Sequence, residues 1–128
     1  MKLLRFSIGL VGLLLGALNA AAQINGIYRE VYFDIGNGGA VSDLTNNPAF
    51  PNAPSLDDVL TAGFETPTDI AEGYGQRVRA LLTAPTTGNY YFYLATDDGG
   101  QLFLGTNATP QSKRLIAQED SWSPPRAY

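Results

Sequence analysis

The sequence predicts an all-β protein made of short antiparallel strands separated by long loops rich in proline and glycine. Three observations point there. Tyr90, Phe92 and Leu94 alternate with Tyr91, Tyr93 and Ala95, the two-residue period that a strand imposes on its side chains. Leu102 and Leu104 alternate in the same way with Gln101 and Phe103. Between the two runs lies Asp97-Asp98-Gly99-Gly100, a turn signal whose glycines suit the positive φ of a tight connection. The stretch from Thr83 to Gly105 therefore reads as a β-hairpin with two carboxylates at its tip.

The chain opens with Lys2 and Arg5, an apolar run from Phe6 to Leu18, and Ala20-Ala21-Ala22. That is the charged, apolar and small-residue order of a cleaved secretory signal over residues 1–22, leaving a domain over 23–128. The apolar run falls short of the roughly 20 residues that span a bilayer, so no membrane insertion is expected once the signal is removed. A secreted product is expected, whether extracellular, cell-surface or periplasmic. From Gln23 onward six basic residues face twelve acidic ones, a net charge of −6, which argues against nucleic acid as a partner and makes calcium a natural counter-ion. The sequence contains no cysteine and no histidine. Disulfide staples, histidine-based triads and zinc sites are thereby excluded, and only paired carboxylates remain as an obvious catalytic option.

The first strand runs from Ile27 to Asp34, with Ile27, Val31 and Phe33 on one parity and Tyr28 and Tyr32 on the other. Gly36-Asn37-Gly38-Gly39 ends it; with no Lys-Ser/Thr following, this is a turn rather than a phosphate loop. From Val41 to Pro67, Pro48, Pro51 and Pro54 remove ladder donors and make a regular strand improbable. Within it, Leu56 to Thr61 is expected to form a helical turn capped by Ser55, with Asp57 and Asp58 near the positive end of its dipole. Gln76 to Leu82 alternates Val78, Ala80 and Leu82 against Arg77, Arg79 and Leu81, a strand expected to pair antiparallel with the aromatic run that follows it. Gly105 to Ser112 forms a turn and Lys113 to Gln118 a last short strand. Asn107-Ala108-Thr109 is a formal glycosylation sequon, meaningful only in a eukaryotic secretory pathway. Trp122 is expected to anchor the irregular segment beside Ser123-Pro124-Pro125 as a partly buried side chain, with sugar stacking the alternative.

Several segments in order are similar to one family. They are Ile27-Tyr28-Arg29-Glu30-Val31-Tyr32, Gly63-Phe64-Glu65, Tyr74-Gly75-Gln76-Arg77-Val78, Leu82-Thr83-Ala84-Pro85, Gly88-Asn89-Tyr90-Tyr91-Phe92 and Thr96-Asp97-Asp98-Gly99. Together they resemble the family of the fourteen-kilodalton domain of anthrax protective antigen, over about Gly26 to Tyr128. The resemblance implies an antiparallel β-sandwich acting as a carbohydrate-binding module. In the lectin-like branch two consecutive aspartates joined by a cis peptide hold calcium, and the ion grips sugar hydroxyls; carried over, those are Asp97 and Asp98. Gly99 and Gly100 would let the backbone bend around the ion, and Thr96 and Gln101 would add secondary contacts. Family domains continue with further strands past the segment resembling Ser121 to Tyr128, so the resemblance implies a sandwich incomplete at its C-terminal end. Two carboxylates alone do not fill a calcium shell of six to eight oxygens, and an Asp-Asp-Gly turn without that context reads rather as a solvated connection.

The expected function is an exported, calcium-dependent module that binds a glycan or cell-surface polysaccharide or mediates adhesion, without catalysis. Adjacent aspartates on one turn cannot flank a glycosidic bond at the roughly 5–10 Å that its hydrolysis needs. The rival reading is a structural spacer in a larger exported protein, with no specific ligand.

Overall fold

The computed structural model describes residues 26–127, so the signal-peptide reading of residues 1–22 lies outside them. The described residues form two antiparallel sheets and very little helix. Strands β1 (Ile27–Tyr32), β2 (Leu56–Leu60) and β3 (Gly75–Arg79) make one sheet in the order β2-β1-β3; β4 (Gly100–Leu104) and β5 (Arg114–Glu119) make the other. A five-residue helix, α1 (Val41–Thr45), and a 3-10 turn at Pro110–Ser112 complete the secondary structure. No helix among the described residues is long and apolar enough to cross a membrane.

Ionic pairing across the ladder organises the first sheet. In the central strand β1, consecutive residues face opposite sides, so Arg29 and Glu30 reach different partners. Arg29 lies opposite Asp58 of β2 and grips it with two guanidinium nitrogens, Nε to Oδ1 at 2.8 Å and Nη2 to Oδ2. Glu30 lies opposite Arg77 of β3, which bonds both its carboxylate oxygens, and Arg79 adds a contact at 3.2 Å. Asp57, the acidic neighbour directly across from Glu30 on β2, is occupied by the Tyr28 hydroxyl at 2.9 Å.

This pairing overturns two sequence expectations. Leu56 to Leu60 is a strand, not a helical turn, because Asp58 gains a charged cross-strand partner that a solvated helix would not supply. Asp57 and Asp58 are therefore ladder residues rather than helix-capping ones. Ser55 likewise caps no helix: its N–H donates to the Val31 carbonyl at 2.8 Å and its Oγ accepts the Phe33 N–H at 3.2 Å. The prolines that argued against a strand lie before β2 and not in it, and β2 is an edge strand of the sheet, where such neighbours are tolerated.

The apolar core is small. Val31 and Tyr32 are fully buried and Ile35 nearly so. Tyr32 packs edge-on against Phe50, ring centroids 5.3 Å apart, and its hydroxyl donates to the Pro51 carbonyl at 3.1 Å. Arg77 lies over the other partner of that contact, 5.2 Å from the Phe50 centroid. Helix α1 packs on the start of β3, where a side chain at Gly75 would meet Ile35 Cδ1 at 2.9 Å and Leu44 Cβ at 3.1 Å.

The hairpin expected over Thr83 to Gly105 is not formed. The run from Ala80 to Gly99 belongs to none of the strands; β3 pairs with β1, and β4 pairs with β5 through the Gly105–Lys113 connection. Arg77 and Arg79 explain the first choice, since Glu30 of β1 offers them a carboxylate and the uncharged aromatic run does not. Trp122 also differs from expectation, at 57% exposed rather than partly buried.

Candidate functional site at the Asp97–Asp98 turn

Thr96 to Gln101 forms the connection into β4 and carries all six candidate residues. Thr96 fixes its near end. Its backbone N–H is shared between Glu119 Oε2 at 3.0 Å and Ser123 Oγ at 3.1 Å, and its carbonyl accepts the Ser123 N–H at 2.9 Å. Its hydroxyl sits 2.6 Å from the Asp98 carbonyl, to which it donates, and 3.2 Å from Glu119 Oε2. Ser123 Oγ also donates to that carboxylate oxygen at 2.8 Å. Glu119, at the end of β5, thus staples the turn to the second sheet, and Thr96 fixes the turn's geometry.

The glycines act by close approach, not by positive φ. Neither Gly99 nor Gly100 is among the described glycines with φ above zero. The Gly99 N–H donates to the Gly39 carbonyl at 3.3 Å, and a Cβ there would lie 3.2–3.4 Å from the backbone of Gly39, Ala40 and Val41. A Cβ at Gly100, which is buried, would sit 2.3 Å from Thr96 Cγ2. The turn is therefore clamped between the Gly39–Val41 loop and the Thr96 side chain, and a tight two-residue hairpin connection is excluded.

Asp97 is exposed and Asp98 half-buried. Asp98 points an oxygen toward Gly39, 3.9 Å from where a Cβ would stand. Burial, followed by the charges of Asp97 and then Asp69, raises the Tyr74 phenol above its usual range, so Asp97 contributes negative field on the side of Tyr74. Among the described residues the cis peptide bond is Phe50–Pro51, which makes Asp97–Asp98 trans and removes the cis linkage that the resemblance implied.

The turn borders a cleft of about 220 Å³. Ala40, Val41 and Ser42 line one part of it, Gly99 and Gln101 another, and Gln118, Glu119 and Asp120 the rest. Gln101 Nε2 donates to Gln118 Oε1 at 3.1 Å, and Gln118 Nε2 in turn donates to Asp120 Oδ1. A larger hollow of about 510 Å³ follows the loop Ala84–Gly88 with Tyr90. It gathers no carboxylate, and the Tyr90 hydroxyl is already engaged with Thr86.

Only oxygen donors of the hard type that calcium prefers are presented at the turn. Among the described residues, however, no group of three or more acidic, histidine or cysteine side chains is placed to hold a metal. The two carboxylates could furnish part of a shell; the carbonyls of Asp98 and Gly39 already accept hydrogen bonds. Glu119, Ser123 and the Gly39–Val41 loop were not legible as parts of this site, because Glu119 and Ser123 stand 23 and 27 residues from Thr96. Comparison with protein-family models, curated proteins and solved structures finds no match for this chain.

Proposed function

We propose that the chain is an exported sandwich-type module that binds neutral glycans through a calcium ion held at Asp97 and Asp98. The observation that carries this reading is the position of the turn: it is stapled in place by Glu119 and Thr96 and borders a polar cleft lined by Gln101, Gln118 and Asp120. Amide and carboxylate side chains are the donors and acceptors that sugar hydroxyls engage. Two protein carboxylates leave most of a six-to-eight-oxygen shell to other oxygens, and sugar hydroxyls are suited to that role. Gly99 and Gly100 keep the turn close to its supporting loop, and Gln101 supplies a contact at the rim.

Calorimetric titration of the exported chain with calcium tests the proposal. Saturable heat is expected, with a rise in thermal stability; at about 100 times Kd, binding to the native state alone contributes roughly 2.7 kcal/mol. Asp97→Ala and Asp98→Ala should each abolish the gain, while Asp57→Ala should keep it, and retention of neutral glycans on an array should vanish with a chelator. Absence of calcium heat in the folded protein refutes the reading and leaves the structural spacer.

A further inference from the structure

We propose that two copies of this chain associate through the run Asn89–Ala95, antiparallel about a two-fold axis at Phe92. From Ala80 to Thr96 the chain has 17 residues without a charge, in a protein whose net charge would otherwise make two copies repel. Tyr91 is 81% exposed, Tyr93 65%, Tyr90 44% and Phe92 39%. The run therefore holds aromatic surface in water, and the backbone N–H and C=O groups of Tyr90, Phe92 and Leu94 have no partner among the described residues. An unpaired apolar edge of this kind is a template for another strand.

The run is complementary to itself. A two-fold axis normal to a sheet must set one residue opposite its own copy, and a centre at Phe92 then sets Tyr90 opposite Leu94 and Tyr91 opposite Tyr93. Every pair joins residues of one face. With Tyr90, Phe92 and Leu94 in the hydrogen-bonded positions, their free backbone groups are satisfied. Tyr91 and Tyr93 fall in the non-hydrogen-bonded positions, where side chains come closest and aromatic pairs are favoured. Taking about 200 Å² for a whole aromatic side chain, covering Tyr90–Tyr93 on both copies removes at most about 900 Å² from water. Stable interfaces bury roughly 1,200–2,000 Å², so the association is expected to be concentration-dependent.

The full chain, purified after export and kept in chelator, decides the matter independently of any calcium site. Sedimentation equilibrium should give the mass of one chain at low concentration, rising to twice that and no further. Tyr91→Lys with Tyr93→Lys, checked for an unchanged circular dichroism spectrum, should stay at the single-chain mass throughout. The absence of native cysteine permits a second test that does not depend on that variant folding. Under mild oxidation Phe92→Cys should form a covalent dimer, since paired Cα atoms at about 5.5 Å suit a disulfide. Tyr91→Cys should not, because its own copy lies two positions along the strand. A single-chain mass at all concentrations, association that continues beyond two copies, or equal cross-linking at positions 91 and 92 overturns the proposal.

Discussion

In the sheet β2-β1-β3 two charged side chains are almost wholly buried, Arg29 at 5% and Glu30 at 4% exposure, whereas in the run that follows β3 the aromatic Tyr91 is 81% exposed. Burial here follows pairing and not hydrophobicity. Arg29 and Glu30 lie on a central strand flanked on both sides, and each meets an opposite charge with two-point geometry, which satisfies the polar atoms that desolvation exposes. No buried side-chain nitrogen or oxygen among the described residues lacks a partner. The aromatic run carries apolar surface and remains largely exposed.

The largest expected effect breaks the buried side of this contrast. Glu30→Gln leaves Arg77 and Arg79 facing a neutral amide in a site where the Glu30 side chain is only 6% exposed; removing one partner of a buried pair costs about 3–5 kcal/mol, and the 28% and 54% exposure of the two arginines places the loss at the low end, read as a lower denaturation midpoint. Gly100→Ala should come next, at about 1–3 kcal/mol for overpacking against Thr96, and Thr96→Ser in the same chain should recover part of it, because the clashing Cγ2 is then gone.

Acid should act on the same ion pairs. Burial pushes the Glu30 carboxyl up, but the hydrogen bonds and charges of Arg77 and Arg79 outweigh it and leave the group below the usual carboxylate range; the hydrogen bond from Arg29 lowers Asp58. Groups depressed in the folded state stabilise it above their unfolded values, near 4, and lose that contribution as pH falls through the folded values. Stability should be level from neutral pH to about 5 and decline below about 4, and Glu30→Gln should flatten that decline in urea melts at stepped pH. At the other extreme, Glu65→Gln removes an ion pair with Arg126 whose side chains are 56% and 73% exposed. A change of no more than about 0.5 kcal/mol is expected, and a larger loss would show that exposure misjudges this end of the chain.

Alternation pointed to four of the five strands, yet its clearest instance, Tyr90–Ala95, belongs to no strand. Ile27–Tyr32 falls within a run read as a strand from the sequence, and Gly75–Arg79, Gly100–Leu104 and Arg114–Glu119 each overlap such a run, reaching one residue outside it. Leu56–Leu60 was misread because Ser55-Leu56-Asp57-Asp58 suits a helix start equally well, and only Arg29, 29 residues earlier, resolves the ambiguity. The turn at Asp97–Gly100 was recognised, but its partners were not: the glycines belong there for close contact with Gly39 and Thr96, which lie in a loop and a side chain that no local pattern links to them.

By itself the sequence determined the class, because a period of two and the placement of turn residues recur along most of the chain, although the aromatic run shows that the period alone does not make a strand. It determined equally that the run from Ala80 to Thr96 carries no charge and that Asp97, Asp98, Gly99 and Gly100 stand in succession. Which strands pair was decided only in the tertiary structure. Register depends on the meeting of residues far apart in the chain, Arg29 with Asp58 and Glu30 with Arg77, and on which apolar surfaces find a layer to cover them; neither is a property of any single segment.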